Sequence, residues 1–301
     1  MLLLVVFGLQ QAITISIAAN GELITEKSGV LNIGIEGVML LSAFSAAAVN
    51  FEVERFVGPS SPYIGLIGGM LTGVAANFIF STLSTKIHVD QVIAGIGINI
   101  FAVGMTYVMS QKYFEIDGTP VSNSLPPLFN VGGLSSNLTL KISPLMLVMF
   151  VLPLLVYLFL GRTKFGLHIR AVGENPKAAE AAGIRVVRTR ILATSLGGAL
   201  LGMAGSYLTI DFFNQFTPDI TAGIGFIALA AVIAGGWNPA YTFGMSLLFG
   251  TSVGLIYVVS ATGPLFYLIT MFPYIITVVV LGIASKRLRP PTALALPYKK
   301  E

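Results

Sequence analysis

Three polar side chains stand inside stretches otherwise as apolar as lipid: Asn32 and Glu36 in NIGIEGVMLLSAF, and Asn99 in VIAGIGINI. A carboxylate within an apolar helix costs a few kcal/mol unless it faces a cavity or a partner. Glu36 therefore marks either a polar path through the membrane or a contact that holds neighbouring helices together. Asn99 lies one helical turn after Gly95 and both donates and accepts hydrogen bonds. It suits a neutral polar solute or an amide bridge between helices. Other chemistries are missing. The chain has no Cys and only two His, at 88 and 168, so thiol chemistry, disulfides and a histidine metal cluster are excluded. No G-x-x-x-x-G-K-[ST] phosphate loop occurs, so the chain does not hydrolyse ATP through a P-loop. No paired-Asp, Ser-His or metal-binding constellation falls at transmembrane depth, which argues against an intramembrane enzyme.

The elements that must position these residues are membrane spans. Hydrophobic residues make up 55% of the 301, charged residues 10%, and mean hydropathy is +0.86, against roughly a quarter charged in soluble domains. The predicted fold class is an all-α polytopic membrane protein with about nine (8–10) transmembrane helices in one domain, 1–301. The net charge of +4 comes mostly from one loop and the tail, so it reflects topology and not nucleic-acid binding.

That loop, 162–190, is the longest polar interruption. It carries Arg162, Lys164, Arg170, Lys177, Arg185, Arg188 and Arg190 against Glu174 and Glu180. A short Lys/Arg-rich loop between spans stays on the cytoplasmic side, which places the C-terminus inside and, counting back over nine spans, the N-terminus outside. Within the loop Asn175 and Pro176 start a helix of about two turns, residues 177–182 continue it and Gly183 stops it. Alanines at 178, 179, 181 and 182 leave its surface nearly bare, so the groove of another protein can approach the backbone. The bland alternative is a solvated positive loop with no partner.

In chain order, 2–19 reads as a retained span without a signal-peptide cleavage site. Residues 20–44 begin polar and glycine-punctuated and end apolar; they form a span or a discontinuous helix unwound at membrane depth. The span 62–84 shows a small-residue face at Gly65, Gly68, Gly69 and Gly73, with Asn77 as interhelical glue. The span 91–110 follows the link bearing His88, read as a solvated or headgroup residue. An external loop, 111–142, is rich in Pro and turn residues. Further spans are 143–161, 191–210, 221–236, 240–261 and 264–285, the last broken by Pro273. Trp237 beside Pro239 reads as an interfacial anchor. Lys286, Arg287, Arg289, Lys299 and Lys300 make the tail basic. An internal echo links residues 28–43 with 222–237: each starts with spaced glycines and runs into an apolar helix, as at the midplane sites of transporters.

Five ordered motifs, GELITEKSGVLNIGIEGVMLLSAFSAA, VDQVIAGIGIN, FGLHIRAVGENPKAAEAAGI, GFIALAAVIAGGWNP and FPYIITVVVLG, resemble the permease subunits of ABC importers for nucleosides and simple sugars, within the branched-chain amino acid and ribose type superfamily. The resemblance covers about residues 20–285 and implies a type II-like importer permease. It implies two permease subunits, the second often non-identical, two ATPase subunits that hydrolyse ATP, and an extracellular substrate-binding lipoprotein, with no cofactor bound by this chain. It assigns ATPase coupling to Glu174, Asn175, Pro176, Ala179, Glu180, Ala182 and Gly183. The Q-V-I-x-G-x-x-x-N form at 91–99 favours the nucleoside branch and adds Gln91 to the expected pathway residues Asn32, Glu36 and Asn99. Lys27 departs from the Arg expected there, keeping charge without bidentate geometry. A different class remains, an ion-coupled secondary carrier with Glu36 as the titrating group.

Overall fold

A computed structural model describes residues 2–114, 119–121, 123–135, 138–259, 264–284 and 289–298. The tail cations Lys286, Arg287, Lys299 and Lys300 lie outside the described residues. Seven stretches among the described residues are long and apolar enough to cross a membrane. One of them, Ile35–Thr85, is 51 residues long and would reach far beyond a bilayer if straight. It is two helices, α2 (Ile35–Val57) and α3 (Ser61–Thr85), folded back at the 3₁₀ turn Gly58–Ser60, where Gly58 takes φ +54°. Seven stretches with one divided in two make eight long helices: α1 (Leu2–Lys27), α2, α3, α4 (Gln91–Phe114), α5 (Pro144–Arg162), α8 (Val186–Tyr207), α10 (Pro239–Val258) and α11 (Pro264–Ala284). The ninth expected span is a short helix, α9 (Ile224–Ala234), whose 11 residues cover about 16 Å, half a hydrocarbon core.

α1 is the axis of the bundle. From Gln11 to Glu26 every residue is buried, and α1 packs against α5, α8, α9 and α10. The expected end of the first span near residue 19 is overturned: the helix runs on to Lys27, because Asn20, Glu22, Thr25 and Glu26 are buried against protein and need no aqueous layer.

The small-residue face of α3 meets a matching face of α8. A side chain at Gly73 would collide with the Gly198 carbonyl and the Gly202 backbone, and one at Gly69 with the Ser42 carbonyl and Ser206. Backbones this close gain dispersion contacts that larger residues would prevent, which is how helices associate where lipid is as apolar as Leu. Asn77 completes the seam as expected, its Nδ2 donating to the Thr194 carbonyl at 2.9 Å.

The described residues of the 111–142 loop hold more regular structure than their turn-rich composition suggested. Strands β2 (Phe129–Ser135) and β3 (Leu138–Ile142) pair antiparallel, and β1 (Thr119–Pro120) pairs with β4 (Gln215–Phe216) after α8. Pro and Gly hid the alternating pattern there. The 162–190 loop holds two helices where one was expected: α6 (Lys164–Glu174), capped by Thr163 accepting from the Gly166 N–H at 3.0 Å, and α7 (Pro176–Ala181).

Candidate functional site

The chain between α1 and α2, residues 28–34, is not helical, yet it packs among the long apolar helices. It runs beside α4 over the reach from Gln91 to Asn99, eight residues or about 12 Å of helix. Unwound backbone survives there only if its polar groups find partners inside the protein. Side chains supply them. Gln91 Oε1 accepts from the Leu31 N–H at 2.7 Å, Asn32 Oδ1 from the Gly34 N–H at 2.9 Å, and Glu22 Oε1 from the Asn32 N–H at 3.3 Å. Asn99 serves the α2 end of the break, Nδ2 donating to the Ile33 carbonyl at 3.0 Å and Oδ1 accepting from the Gly37 N–H in the first turn of α2 at 2.7 Å. Asn32 Nδ2 donates to Asn77 Oδ1 at 3.2 Å, linking the break to the α3–α8 seam.

Glycines let these partners approach. A side chain at Gly37 would strike the Asn99 backbone, and one at Gly95 the Gly34 N–H, each at 2.7 Å. The amide oxygens of Asn32, Gln91 and Asn99, expected along a substrate path, accept from the chain's own backbone, while Asn32 Nδ2 donates to Asn77 and Asn99 Nδ2 to the Ile33 carbonyl. Asn99→Leu is expected to cost about 1–3 kcal/mol by orphaning a buried carbonyl and N–H, read as a lower melting temperature of the purified protein without a change in which solute it binds.

A second break precedes α9. Between Phe213 and Gly223 the chain places Asn214, Asp219, Ala222 and Gly223 at positive φ, including three residues that are not glycine. Glu36, in the first turn of α2, reaches across to it. Its Oε1 accepts from the Gly223 N–H and its Oε2 from the Gly225 N–H, both at 2.7 Å. One carboxylate therefore caps α9 from the first turn of α2, between the positive ends of two helices. Each echoing segment starts in a break, 28–43 in the first and 222–237 in the last residues of the second, and Glu36 joins the two. At its other end α9 is tied to α1: Trp237, at φ +54° and 5% exposed, donates its Nε1–H to Glu26 Oε2. Trp237 is a buried tie and not an interfacial anchor, since burial of its ring against α1 outweighs the pull of the interface.

Glu22 and Glu26 were not singled out in the sequence, where 20–27 looks like a polar link. The available signal was their i, i+4 spacing, which puts both on one helical face.

In the 162–190 loop, Asn175 Oδ1 accepts from the Ala178 N–H at 3.0 Å and Gly183 takes φ +86°, so both expected caps of α7 are present. Glu174, Asn175, Lys177, Ala178, Ala181, Ala182 and Gly183 are exposed, Pro176 is half-buried, and Ala179 turns inward onto Val172, Val186 and Tyr298. Ala179 therefore braces α7 from behind. Glu180 accepts a hydrogen bond from the Tyr298 hydroxyl. Arg190, expected among the loop's surface cations, is 1% exposed within α8. Its Nε donates to the Ser28 carbonyl at 3.2 Å and its Nη1 to the Leu296 carbonyl at 3.1 Å, placing a cation at the C-terminal end of α1.

Comparison with known proteins agrees with this architecture. The pattern of the "Branched-chain amino acid transport system / permease component" family matches residues 4–283. The guanosine ABC transporter permease protein NupQ of Bacillus subtilis is 30% identical, over 94% of this chain and 92% of that protein. The nucleoside ABC transporter permease protein NupC of Lactococcus lactis subsp. cremoris is 28% identical, over 93% and 91% respectively. No solved structure matches. A multi-pass helical bundle with two broken helices, matched to that family along nearly its whole length, belongs to the branched-chain amino acid transport system permease component family and is a transmembrane permease of the ABC importer type.

Proposed function

We propose that this permease carries nucleosides inward, driven by ATP hydrolysis on separate ATPase subunits that dock on α7 from the cytoplasm. A second, non-identical permease completes the path, and an extracellular lipoprotein delivers the solute. The N-terminus is then outside and the C-terminus inside. The observation that carries the docking role is the outward face of α7: a helix capped at both ends and braced from behind by Ala179 turns Ala178, Ala181, Ala182 and Gly183 to solvent. That the two relatives are a guanosine and a nucleoside permease supports the substrate class. So does Glu36. Paired helix N-termini favour anions, but here the chain's own carboxylate already occupies them, which suits a neutral solute better than an amino acid bearing its own carboxylate. Asn32, Glu36, Gln91 and Asn99 frame the switching region and hold its two breaks in register. As both Glu36 oxygens accept from backbone N–H groups, a coupling ion would have to displace them.

The test is uptake of labelled guanosine into liposomes holding this permease with its partner permease and ATPase, the binding protein outside and ATP trapped within. Uptake requiring hydrolysable ATP is expected; uptake driven by an ion gradient alone would replace the importer reading with a secondary carrier. Among the described residues a Cβ at Gly183 meets nothing within 4 Å, and its φ is left-handed. Gly183→Ala pays only the backbone cost of about 1–2 kcal/mol, whereas Gly183→Trp also fills the docking face. Gly183→Trp is expected to abolish ATP-driven uptake with membrane insertion intact, and Gly183→Ala to retain most of it. Equal behaviour of the two would remove the steric docking role.

A further inference from the structure

The C-terminal segment 289–298 passes beneath the bundle and bonds to α6, α7, α8, the α1–α2 break and the α3–α4 turn. Ala293 N–H donates to the Gly173 carbonyl at 2.9 Å, and Thr292 Oγ1 to Glu174 Oε2 at 2.9 Å, at the end of α6. Ala295 N–H donates to the Gly29 carbonyl at 3.2 Å, on the first residues of the α1–α2 break, and Arg190 holds both Ser28 and Leu296 from α8. The Tyr298 carbonyl meets His88 Nε2 at 2.9 Å in the α3–α4 turn, while its hydroxyl donates to Glu180 on α7. This path is built, not draped. Two successive turns, Leu294 N–H to the Pro291 carbonyl and Leu296 N–H to the Ala293 carbonyl, shape it, and Ala295 sits at φ +61°. A left-handed alanine persists only where its surroundings over-determine it. Pro291, Ala293 and Tyr298 are buried.

We propose that this tail is a transmission strut, which carries displacement of α7 to the α1–α2 break. This rests on α7 being the ATPase contact. α7 itself is only 6 residues long and hangs between α6 and α8. Through Tyr298 and Glu180 its displacement pulls on a segment that is held by Gly173 and Glu174 at the end of α6 and by His88, and that also bonds Gly29 and, through Arg190, Ser28. Ser28 and Gly29 begin the unwound stretch that Gln91, Asn32 and Asn99 hold in place. A push on α7 thus reaches the break by a second route besides the α5 to α8 backbone. The strut's residues act through others and touch no solute.

The assembled importer, reconstituted with labelled guanosine as probe, tests this with two variants: deletion of 289–301, and Tyr298→Phe, which keeps the ring packed on Val172, Ala179 and Val186 and removes only the hydroxyl. Three quantities are read: ATPase co-purifying with the permease, ATP hydrolysed, and guanosine carried per ATP. We expect the ATPase to co-purify at the parent level with Tyr298→Phe while guanosine per ATP falls about tenfold, the size of one lost hydrogen bond to a carboxylate, and further in the deletion. Parent-level guanosine per ATP with Tyr298→Phe overturns the strut, even if the deletion fails to fold. Loss of co-purifying ATPase with Tyr298→Phe overturns it too, since the tail would then merely hold the docking face in shape. Gly183→Trp run in parallel separates the two proposals: undiminished ATPase binding and uptake there sinks the docking reading, whatever the tail does.

Discussion

Glu36→Ala is expected to abolish transport and to lower the melting temperature of the complex. The carboxylate accepts two backbone N–H groups at 2.7 Å, from Gly223 and Gly225. Hydrogen bonds to a charged group contribute about 1.5–3 kcal/mol each, and their loss orphans two donors at the start of a helix with no side-chain cap of its own. A loss of about 3 kcal/mol or more in the competent arrangement corresponds to over a hundredfold in population. Glu36→Gln keeps the shape but turns an NH₂ group towards one of the two N–H donors, so it should fall close to alanine. Glu36→Asp shortens the reach by one methylene and should retain part of the activity. Uptake of labelled guanosine and thermal unfolding of the same preparations decide the role. If Glu36→Gln melted like the parent and lost only guanosine affinity, Glu36 would be a solute contact and not a clasp.

Gly73→Leu is expected to prevent accumulation of a stable chain, and Gly73→Ala to cost about 1–3 kcal/mol. A Cβ at this position falls 2.9 Å from the backbone of Gly202 and nearer still to the Gly198 carbonyl. These are main-chain atoms of a buried helix with no flexible side chain to swing aside. Relief requires α3 and α8 to separate, and the Asn77 bridge to Thr194 opens with them. The control lies in α4, where Gly97 and Gly104 have no described residue within 4 Å of a Cβ. Gly97→Ala should be neutral or gain about 0.5–1 kcal/mol from helix propensity. Amounts of folded protein recovered from membranes, and melting curves of what is recovered, would rank the three.

The glycine spacing of α3 and the caps of α7 were legible in the sequence, because each is a local pattern with one geometric meaning; the echo between residues 28–43 and 222–237 was visible as a likeness, but the Glu36 contact that joins them was not. Asn175 before Pro176 can start a helix, and Gly183 can end one. The burial of α1 was not legible. Glu22 and Glu26 look like the polar end of a span until α8, α9 and α10 are seen to surround them. Likewise Arg190 belongs by composition to a basic loop, and only the end of α1 at Ser28 and the returning tail at Leu296 give its guanidinium carbonyls to hold. Hydropathy reports which residues could face lipid, while partners distant in sequence decide which polar residues face protein instead. Asn32, Gln91 and Asn99 were legible as unusual, but their occupation by backbone groups depends on an unwound segment that no periodicity announces.

A single side chain joining the two breaks has a bearing on leakage. If each discontinuous helix had its own cap, either could fray alone, and the bundle would visit half-open arrangements through which water and small ions slip. Because α9 is capped from α2, disturbing one break removes the cap from the other. Intermediate openings are thereby penalised, and the barrier behaves as a latch with two settings, a useful property for a membrane that must hold its gradients while solute crosses.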